Sequence, residues 1–348
     1  MGVLPTLGVE EANDRVVAEI FGREDTGAAL PGVLEIVERF GPALVVRESA
    51  EFAGALAAER HGIPHARVGL GLASVDDAAQ LIAAPAVDEL RTGWGLRPDP
   101  EACRLRDAPF LTLSPLALED PAMPEPAETY RFRPAGRRGD APPLPGWWPN
   151  AHDPLVYLTF GSVAARFACY FPALYQSAIA ALATQPVRVL LTTGQGVDPA
   201  QLGPLPSNVH VERWMPQDDI LPHAAAIVGH GGYGTTLGAL AHGVPQVVVP
   251  LFSADQWHNA RRVSQLGAGV MLAEPPGAER RTLDLPTADV VAGLPGAVRR
   301  VLADLDYALA ARSLADAVAA LPPAETAVGA LEAIAARARP RQSSTTPT

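Results

Sequence analysis

The stretch Val228–Pro250, VGHGGYGTTLGALAHGVPQVVVP, decides the fold. An apolar run, Ala225–Gly229, leads into it, glycines 229, 231, 232 and 234 crowd around His230, and a helix-forming run then leads to a second apolar run, Gln246–Pro250. Glycine at a strand-to-helix turn costs backbone entropy; what it allows is close approach of a ligand to the backbone. A helix starting near Tyr233 aims its free N–H groups and the positive end of its dipole at that space, as phosphate sites require. His230 adds a donor, and Thr235 and Thr236 add hydroxyls. The stretch therefore reads as a nucleotide or phosphate site. The plain alternative is a tight βα turn with a surface histidine, and an isolated glycine-rich turn does not choose between them.

Outward from this stretch, apolar segments alternate with helical ones. Strands are expected at Leu155–Phe160, Val187–Thr193, Val209–Trp214, Ala225–Gly229, Gln246–Pro250 and Gly269–Leu272. The segments between them end in Gly or Pro signals, as helices do. Such a series implies an α/β fold, a doubly wound parallel sheet covered on both faces, with ligands beyond the carboxyl ends of the strands. The first half repeats the pattern more weakly, with strands at Ala43–Glu48, 66–70 and 110–114 and a helix over 50–62. Residues 135–154 are rich in Pro and Gly and read as a linker, with Trp147 and Trp148 packing at the boundary. The expected division is a domain at 1–134, the linker, a domain at 155–338 and a disordered tail at 339–348.

A chain of 348 residues with 48% hydrophobic content has core enough for one large or two medium domains. The net charge of -11 and the lack of a basic patch exclude nucleic acid as a partner. All 27 basic residues are arginine, a pattern of base composition more than of chemistry. Cys103 and Cys169 form no CxxC pair, so neither a zinc site nor a disulfide framework is implied. No apolar run reaches the ~18 residues of a membrane span and no signal peptide is evident, so no transmembrane segment and a cytoplasmic location are expected.

Gly229-x-Gly231-x-x-Gly234 also fits the dinucleotide fingerprint, with Asp255 at about the expected distance. Against it, that fingerprint usually opens its domain, whereas three strands precede it here, and Asp255 does not close the following strand. The longer segment Arg213–Val263, RWMPQDDILPHAAAIVGHGGYGTTLGALAHGVPQVVVPLFSADQWHNARRV, uses more of the sequence. It resembles the donor-binding segment of nucleotide-sugar glycosyltransferases of the GT-B fold, which has two Rossmann-like domains facing a cleft. The likeness is to family 1, the UDP-glycosyltransferase superfamily, and within it to bacterial enzymes that decorate macrolides and other natural products. It covers Leu155 to about Gly269 strongly and Pro42–Leu70 more weakly.

Position by position, the resemblance implies that Trp214 stacks on the nucleobase and Gln217 fixes its edge. His230 would bond the diphosphate, and Gly232, Gly234 and Thr235 would line the phosphates. Asp255 and Gln256 would hold sugar hydroxyls, with Asn259 facing the same space. His242, His258 and His223 match no motif role and read as structural. Singly, Trp214 fits a core residue and Asp255–Gln256 a helix start; only their joint spacing raises them above that. UDP-sugar users often carry a glutamate three positions after Thr235, but here that position is Gly238, so a thymidine-diphosphate sugar is the expected donor, with a UDP-sugar the alternative. No metal and no cofactor beyond the sugar nucleotide is expected, and a homodimer is compatible with the reading.

The implied reaction is inverting transfer of a hexose or deoxyhexose to a hydroxyl of a hydrophobic small molecule. It needs a general base. In the family that base is a histidine after the first strand, oriented by an acid. Here the first histidine is His61, and Glu48 falls at the acid's place. The N-terminal, acceptor-side domain thus reads as incomplete, and a longer native protein is expected. The alternatives are a relative that binds nucleotide-sugar, or serves a partner, without turnover, and an active enzyme that uses a different base, such as Glu48.

Overall fold

A computed structural model of the chain describes residues 4–136, 140–149, 152–274 and 280–338. The expected tail, and residues 137–139 and 150–151 of the expected linker, lie outside the described residues. Helices α1 (Val9–Arg15) and α2 (Thr26–Phe40) flank a π-helical stretch, Val16–Asp25. There follow β1 (Val45–Glu48), α3 (Ala53–Arg60), β2 (His65–Val68), α4 (Ala73–Gly93), the single turn α5 (Cys103–Arg106), β3 (Phe110–Thr112) and β4 (Thr129–Arg131). The second series is β5 (Leu155–Thr159), α6 (Ala173–Leu182), β6 (Arg188–Thr192), β7 (Val209–Glu212), α7 (Gln217–Ile220), β8 (Ala226–Gly229), α8 (Tyr233–Ala241), β9 (Gln246–Val248), α9 (Ala254–Gln265) and β10 (Gly269–Met271). Helices α10 (Ala288–Ala303), α11 (Leu305–Ala319) and α12 (Ala327–Ala338) close the chain's described part. None of the described helices is long and apolar enough to cross a membrane.

The chain forms two compact units. Unit 1 comprises Met1–Asn13, Pro115–Asp120 and Gly136–Ala320; unit 2 comprises Asp14–Ser114, Pro121–Ala135 and Leu321–Thr348. Unit 1 carries six parallel strands in the order β10-β9-β8-β5-β6-β7. Its centre, β5, is buried along its whole length. Val156 and Leu158 face one core with Val189, Leu191 and Val228, while Leu155 and Tyr157 face the other with Leu190 and Ile227. A sheet buried on both faces needs such continuous apolar runs, which is why these strands are plain in the sequence. Helix α6 adds a stripe of Leu174, Tyr175, Ala178, Ile179 and Leu182 to the first core. Trp147 stacks on His210 of β7 at 3.9 Å and meets Trp148 edge-on, so both linker tryptophans serve packing within unit 1.

Unit 2 carries four parallel strands in sequence order, β1-β2-β3-β4. The residues before β1 are helical, and Gly41, left-handed at φ 60°, ends α2 by donating to the Val37 carbonyl. Strand β4 has no counterpart in the sequence reading, since its three residues, Thr129–Arg131, are only half-buried and give no alternation to detect.

The units do not follow the expected division. The sequence reading assigns 155–338 to one domain, but α12 joins unit 2: Ile334 is buried against Ala66, Leu111 and Phe132, with Leu331, Ala330 and Ala327 beside it. Arg337 pairs with Glu128, and Arg133 donates to the Pro322 carbonyl at 2.9 Å. The apolar stripe of this helix needs a sheet face, and the face of β2 and β3 supplies it. At the other end, Leu7 joins unit 1, its carbonyl accepting from the Thr282 amide at 2.9 Å. Arg262 likewise binds the carbonyls of Leu118 and Glu119 at 3.1 and 2.7 Å, tying Pro115–Asp120 to unit 1. Ile334→Ala is therefore expected to destabilise unit 2 by ~2–5 kcal/mol through loss of a buried core side chain. Denaturant unfolding followed by a probe in unit 2 checks this; a change under ~0.5 kcal/mol would mean α12 is peripheral.

Candidate functional site

Parallel strands put every βα loop of unit 1 at one end of its sheet. The chain runs outward from β5 through β6 to β7, then returns to β8 on the other side of β5. Ligands of open α/β sheets bind where the order reverses in this way. Thr159 of β5 and Gly229 of β8 are register partners there, so the loops that follow, Phe160–Ser162 and His230–Gly232, leave the sheet side by side.

These two loops are packed so closely that side chains are excluded. A Cβ on Gly161, left-handed at φ 76°, would lie 2.7 Å from His230 Cε1, and one on Gly232 would be closer still to Nε2. The β5 loop is held from below by a chain of hydroxyls. Tyr157 Oη lies 2.8 Å from Thr192 Oγ1, Thr192 donates to Thr159 Oγ1 at 3.0 Å, and the Gly161 amide donates to Thr159 Oγ1 at 3.2 Å.

His230 is 8% exposed, and burial pushes its pKa down to about 4. The ring is thus neutral at neutral pH, with one N–H and one lone pair. Nδ1 is buried with no partner. A buried polar atom left alone is unusual and asks for a ligand or a water. Beside it, α8 begins at Gly232 with no side-chain cap and no acid in its first turn. The positive end of its dipole favours an anion at this position.

Around this centre, Gln217 Nε2 donates to Thr235 Oγ1 at 3.1 Å, linking the start of α7 to that of α8. Gly234 is exposed at the helix start. Trp214 is 57% exposed between β7 and α7, too open for a core residue and available for stacking. Asp255 accepts from the Ser253 hydroxyl at the start of α9. The resemblance gives Gln256 and Asn259 contacts to the sugar, but both are buried and engaged with backbone. Gln256 Oε1 accepts from the amides of Leu251 and Phe252 at 2.8 and 3.2 Å, and Asn259 Nδ2 donates to the Gly231 carbonyl at 2.8 Å. Two supports were not legible beforehand. Gly161 lies just past the strand expected at Leu155–Phe160 and shows its purpose only against His230. Arg280 binds the carbonyls of Pro250 and Leu251 at 2.9 and 3.0 Å from thirty residues away, with no local signal. His242 donates through Nδ1 to the Gly238 carbonyl at 2.8 Å, and His223 Nε2 lies 2.8 Å from the Pro142 carbonyl, so both are tied to backbone.

The comparisons with known proteins agree with this geometry. The family described as "Erythromycin biosynthesis protein CIII-like, C-terminal domain" matches residues 180–334. Elloramycin glycosyltransferase ElmGT of Streptomyces olivaceus is 32% identical over 303 residues, 86% of this chain and 71% of that protein. Demethyllactenocin mycarosyltransferase of Streptomyces fradiae is 30% identical over 309 residues, 86% of this chain and 60% of its own length. Among solved structures, the glycosyltransferase SnogD from Streptomyces nogalater aligns with a TM-score of 0.67 at 28% identity, covering 96% of this chain and 85% of that one. The chain belongs to the natural-product glycosyltransferases. These are GT-B enzymes of family 1, as the resemblance of the donor segment implies.

In this glycosyltransferase the carboxyl end of the unit 2 sheet carries acids. Glu48 ends β1, half-buried, and its Oε1 accepts from the Ala50 amide at 2.6 Å. Burial pushes its pKa up, an effect that the Ala50 amide and Arg47 oppose. Asp76, beyond β2, is pushed up to about 7 by burial, against the amides of Gly71 and Leu70 that it accepts.

His230 gives a pH test. The unfolded ring titrates near 6.5 and the folded one at about 4, so the folded chain holds fewer protons between these values. Stability that is complete above pH ~6.5 is therefore lost as pH falls toward 4, by up to ~3 kcal/mol. His65, pushed down to about 3, acts in the same sense, so the measurement is the difference between wild type and His230→Asn across pH 4 to 7. A flat difference would show that the ring is open to water.

Proposed function

We propose that the chain transfers a hexose or deoxyhexose from a nucleoside-diphosphate sugar, with thymidine as the preferred nucleoside, to a hydroxyl of a hydrophobic small-molecule acceptor. The transfer inverts the anomeric centre and needs no metal. The observation that carries this reading is the unpartnered, buried nitrogen of His230 beside the uncapped start of α8. The departing group is a nucleoside diphosphate, and charge grows on its oxygens as the sugar leaves. Donors fixed at that position lower the barrier without rearranging. His230→Ala is expected to cut kcat by ~100–1,000-fold. Turnover of a TDP-sugar, with and without EDTA, tests both parts; an EDTA-sensitive rate would overturn the metal-free reading.

The preference for thymidine rests on Gly238. A Cβ there would lie 3.3 Å from Gln217 Oε1, so the wall presents a carboxamide where UDP-sugar users in the family often carry a carboxylate. A carboxylate bonds a ribose hydroxyl more strongly than a neutral amide oxygen does, so a wall with only the amide has less ground to reject a nucleotide lacking that hydroxyl. Free TDP should therefore bind at least as tightly as free UDP, and a clear preference for UDP in a calorimetric titration would overturn the proposal.

In the proposed reaction Glu48 takes the acceptor proton. Glu48→Gln should lower turnover by ~100–10,000-fold while leaving TDP affinity unchanged. One observation favours a second reading, sugar-nucleotide binding without turnover. Both histidines of unit 2, His61 and His65, lie at the amino side of β2, away from the end that carries Glu48. No turnover by wild type, with TDP bound normally, would establish that second reading.

A further inference from the structure

Beneath the donor loops, unit 1 buries three hydroxyls that packing alone does not call for. Tyr157 and Thr159 of β5 are each 2% exposed, and Thr192 of β6 is 5% exposed. Tyr157 sits in the core with Leu190, Ile220 and Ile227, where a phenylalanine would fill the same space with no buried oxygen to satisfy. The phenol therefore matters through what its oxygen holds. Thr192 gives its one hydroxyl hydrogen to Thr159 at 3.0 Å, so Tyr157 is the donor in the 2.8 Å contact with Thr192. Burial pushes the Tyr157 pKa up, and hydrogen bonds from Thr192, Thr159 and Gln217 oppose the shift. A bond that favours the ionised phenol points its hydrogen at the phenol oxygen, as the Gln217 amide nitrogen can. Tyr157, Thr192 and Thr159 thus close a ring of hydroxyls with Gln217 attached to it.

The ring reaches the donor end at two places. Thr159 Oγ1 accepts from the Gly161 amide at 3.2 Å, in the loop packed on His230. Tyr157 meets Gln217, whose Nε2 also donates to Thr235 Oγ1 at 3.1 Å at the start of α8. An amide nitrogen carries two hydrogens, and these two acceptors use both. The Gln217 amide is therefore held in one orientation, with Oε1, beside Gly238, as the group it offers.

Resting on the donor reading given above, we propose that Tyr157 and Thr192 are positioning residues for the sugar nucleotide: from beneath the site, their hydroxyls fix the Gln217 amide and the Gly161 loop together. Calorimetric titration of TDP into the full chain tests this with substitutions that separate hydroxyl from volume. Thr192→Val keeps the shape and loses the hydroxyl, whereas Thr192→Ser keeps the hydroxyl and loses a methyl group. TDP should bind Thr192→Val and Tyr157→Phe about tenfold more weakly than wild type, and Thr192→Ser within about twofold of it. Tyr157→Phe should matter much less once Gln217 is alanine, because the amide it orients is then gone. Hydrogen exchange at Gly161 in the ligand-free chain reads the other branch, and should be faster in Thr192→Val and Tyr157→Phe than in wild type and Thr192→Ser. Circular dichroism reports whether each variant is folded. Equal TDP binding by wild type, Thr192→Val and Tyr157→Phe, or a greater loss in Thr192→Ser than in Thr192→Val, would overturn the proposal. Wild type that binds no TDP would sink the donor reading instead; exchange at Gly161 still decides whether the hydroxyls hold the loop, and unchanged exchange would overturn the proposal as well.

Discussion

Everything at the donor end of unit 1 depends on one pairing, that of β5 with β8. It sets Thr159 opposite Gly229 and delivers two loops into a space that admits no side chains between them. Gly161 lies under the His230 ring, and Gly231, left-handed at φ 84°, brings its backbone to within a Cβ's reach of the Gln256 carbonyl. Packing this tight leaves few ways to hold the backbone, and the polar side chains nearby are spent on it. Thr159 and Asn259 hold main-chain groups of these two loops, and Gln256 and Arg280 hold those of the loop that follows β9. What is left facing the ligand is mostly amide and glycine, the surface that a diphosphate can approach closely.

The same packing fixes the electrostatics. Burial keeps His230 neutral, so the ring gives hydrogen bonds without bringing a full charge. The positive potential comes instead from aligned amides at the start of α8, where no acid is present to cancel it. A fixed dipole of this kind does not titrate. The site's field therefore stays constant over the pH range in which histidine charge would otherwise change.

How much of this was legible depended on where the information lay. All six strands of unit 1 were expected within about two residues of their ends, because a sheet covered on both faces writes itself as apolar runs. The glycines and His230 were legible because φ above zero and close approach restrict residue type locally. The backbone contacts of Gln256 and Asn259 were not. An amide in a motif looks the same whether it meets a sugar or a carbonyl, and only their burial and distances show that they serve the loop. The place of α12 is not legible in its own residues and is suggested only by the family resemblance, in which a C-terminal helix packs back across the domains. Its apolar stripe states that some face is needed, but a sheet formed more than two hundred residues earlier supplies it.

Unit 2 was harder to read because its polar residues are inside. Arg47 and Arg67 are register partners, so both side chains leave the same face of the sheet, and both are buried. A reading by alternation assigns that face to solvent. Burial pushes the Arg47 pKa down to about 10, helped by the charge of Arg67, so its retention implies compensating bonds. They are present: Arg47 Nη1 donates to the carbonyls of Ser49 and Glu51 at 2.9 Å each and reaches that of Glu48 at 3.3 Å, while Nη2 donates to Gln80 at 3.1 Å. One guanidinium thereby shapes the loop that carries Glu48. The two units meet the same need, a rigid loop at the carboxyl end of a parallel strand, by different means. Unit 1 uses glycines and a ladder of hydroxyls, which leave room for a ligand's phosphates. Unit 2 uses a buried cation that gathers main-chain carbonyls, which holds a carboxylate in place at the mouth of the sheet.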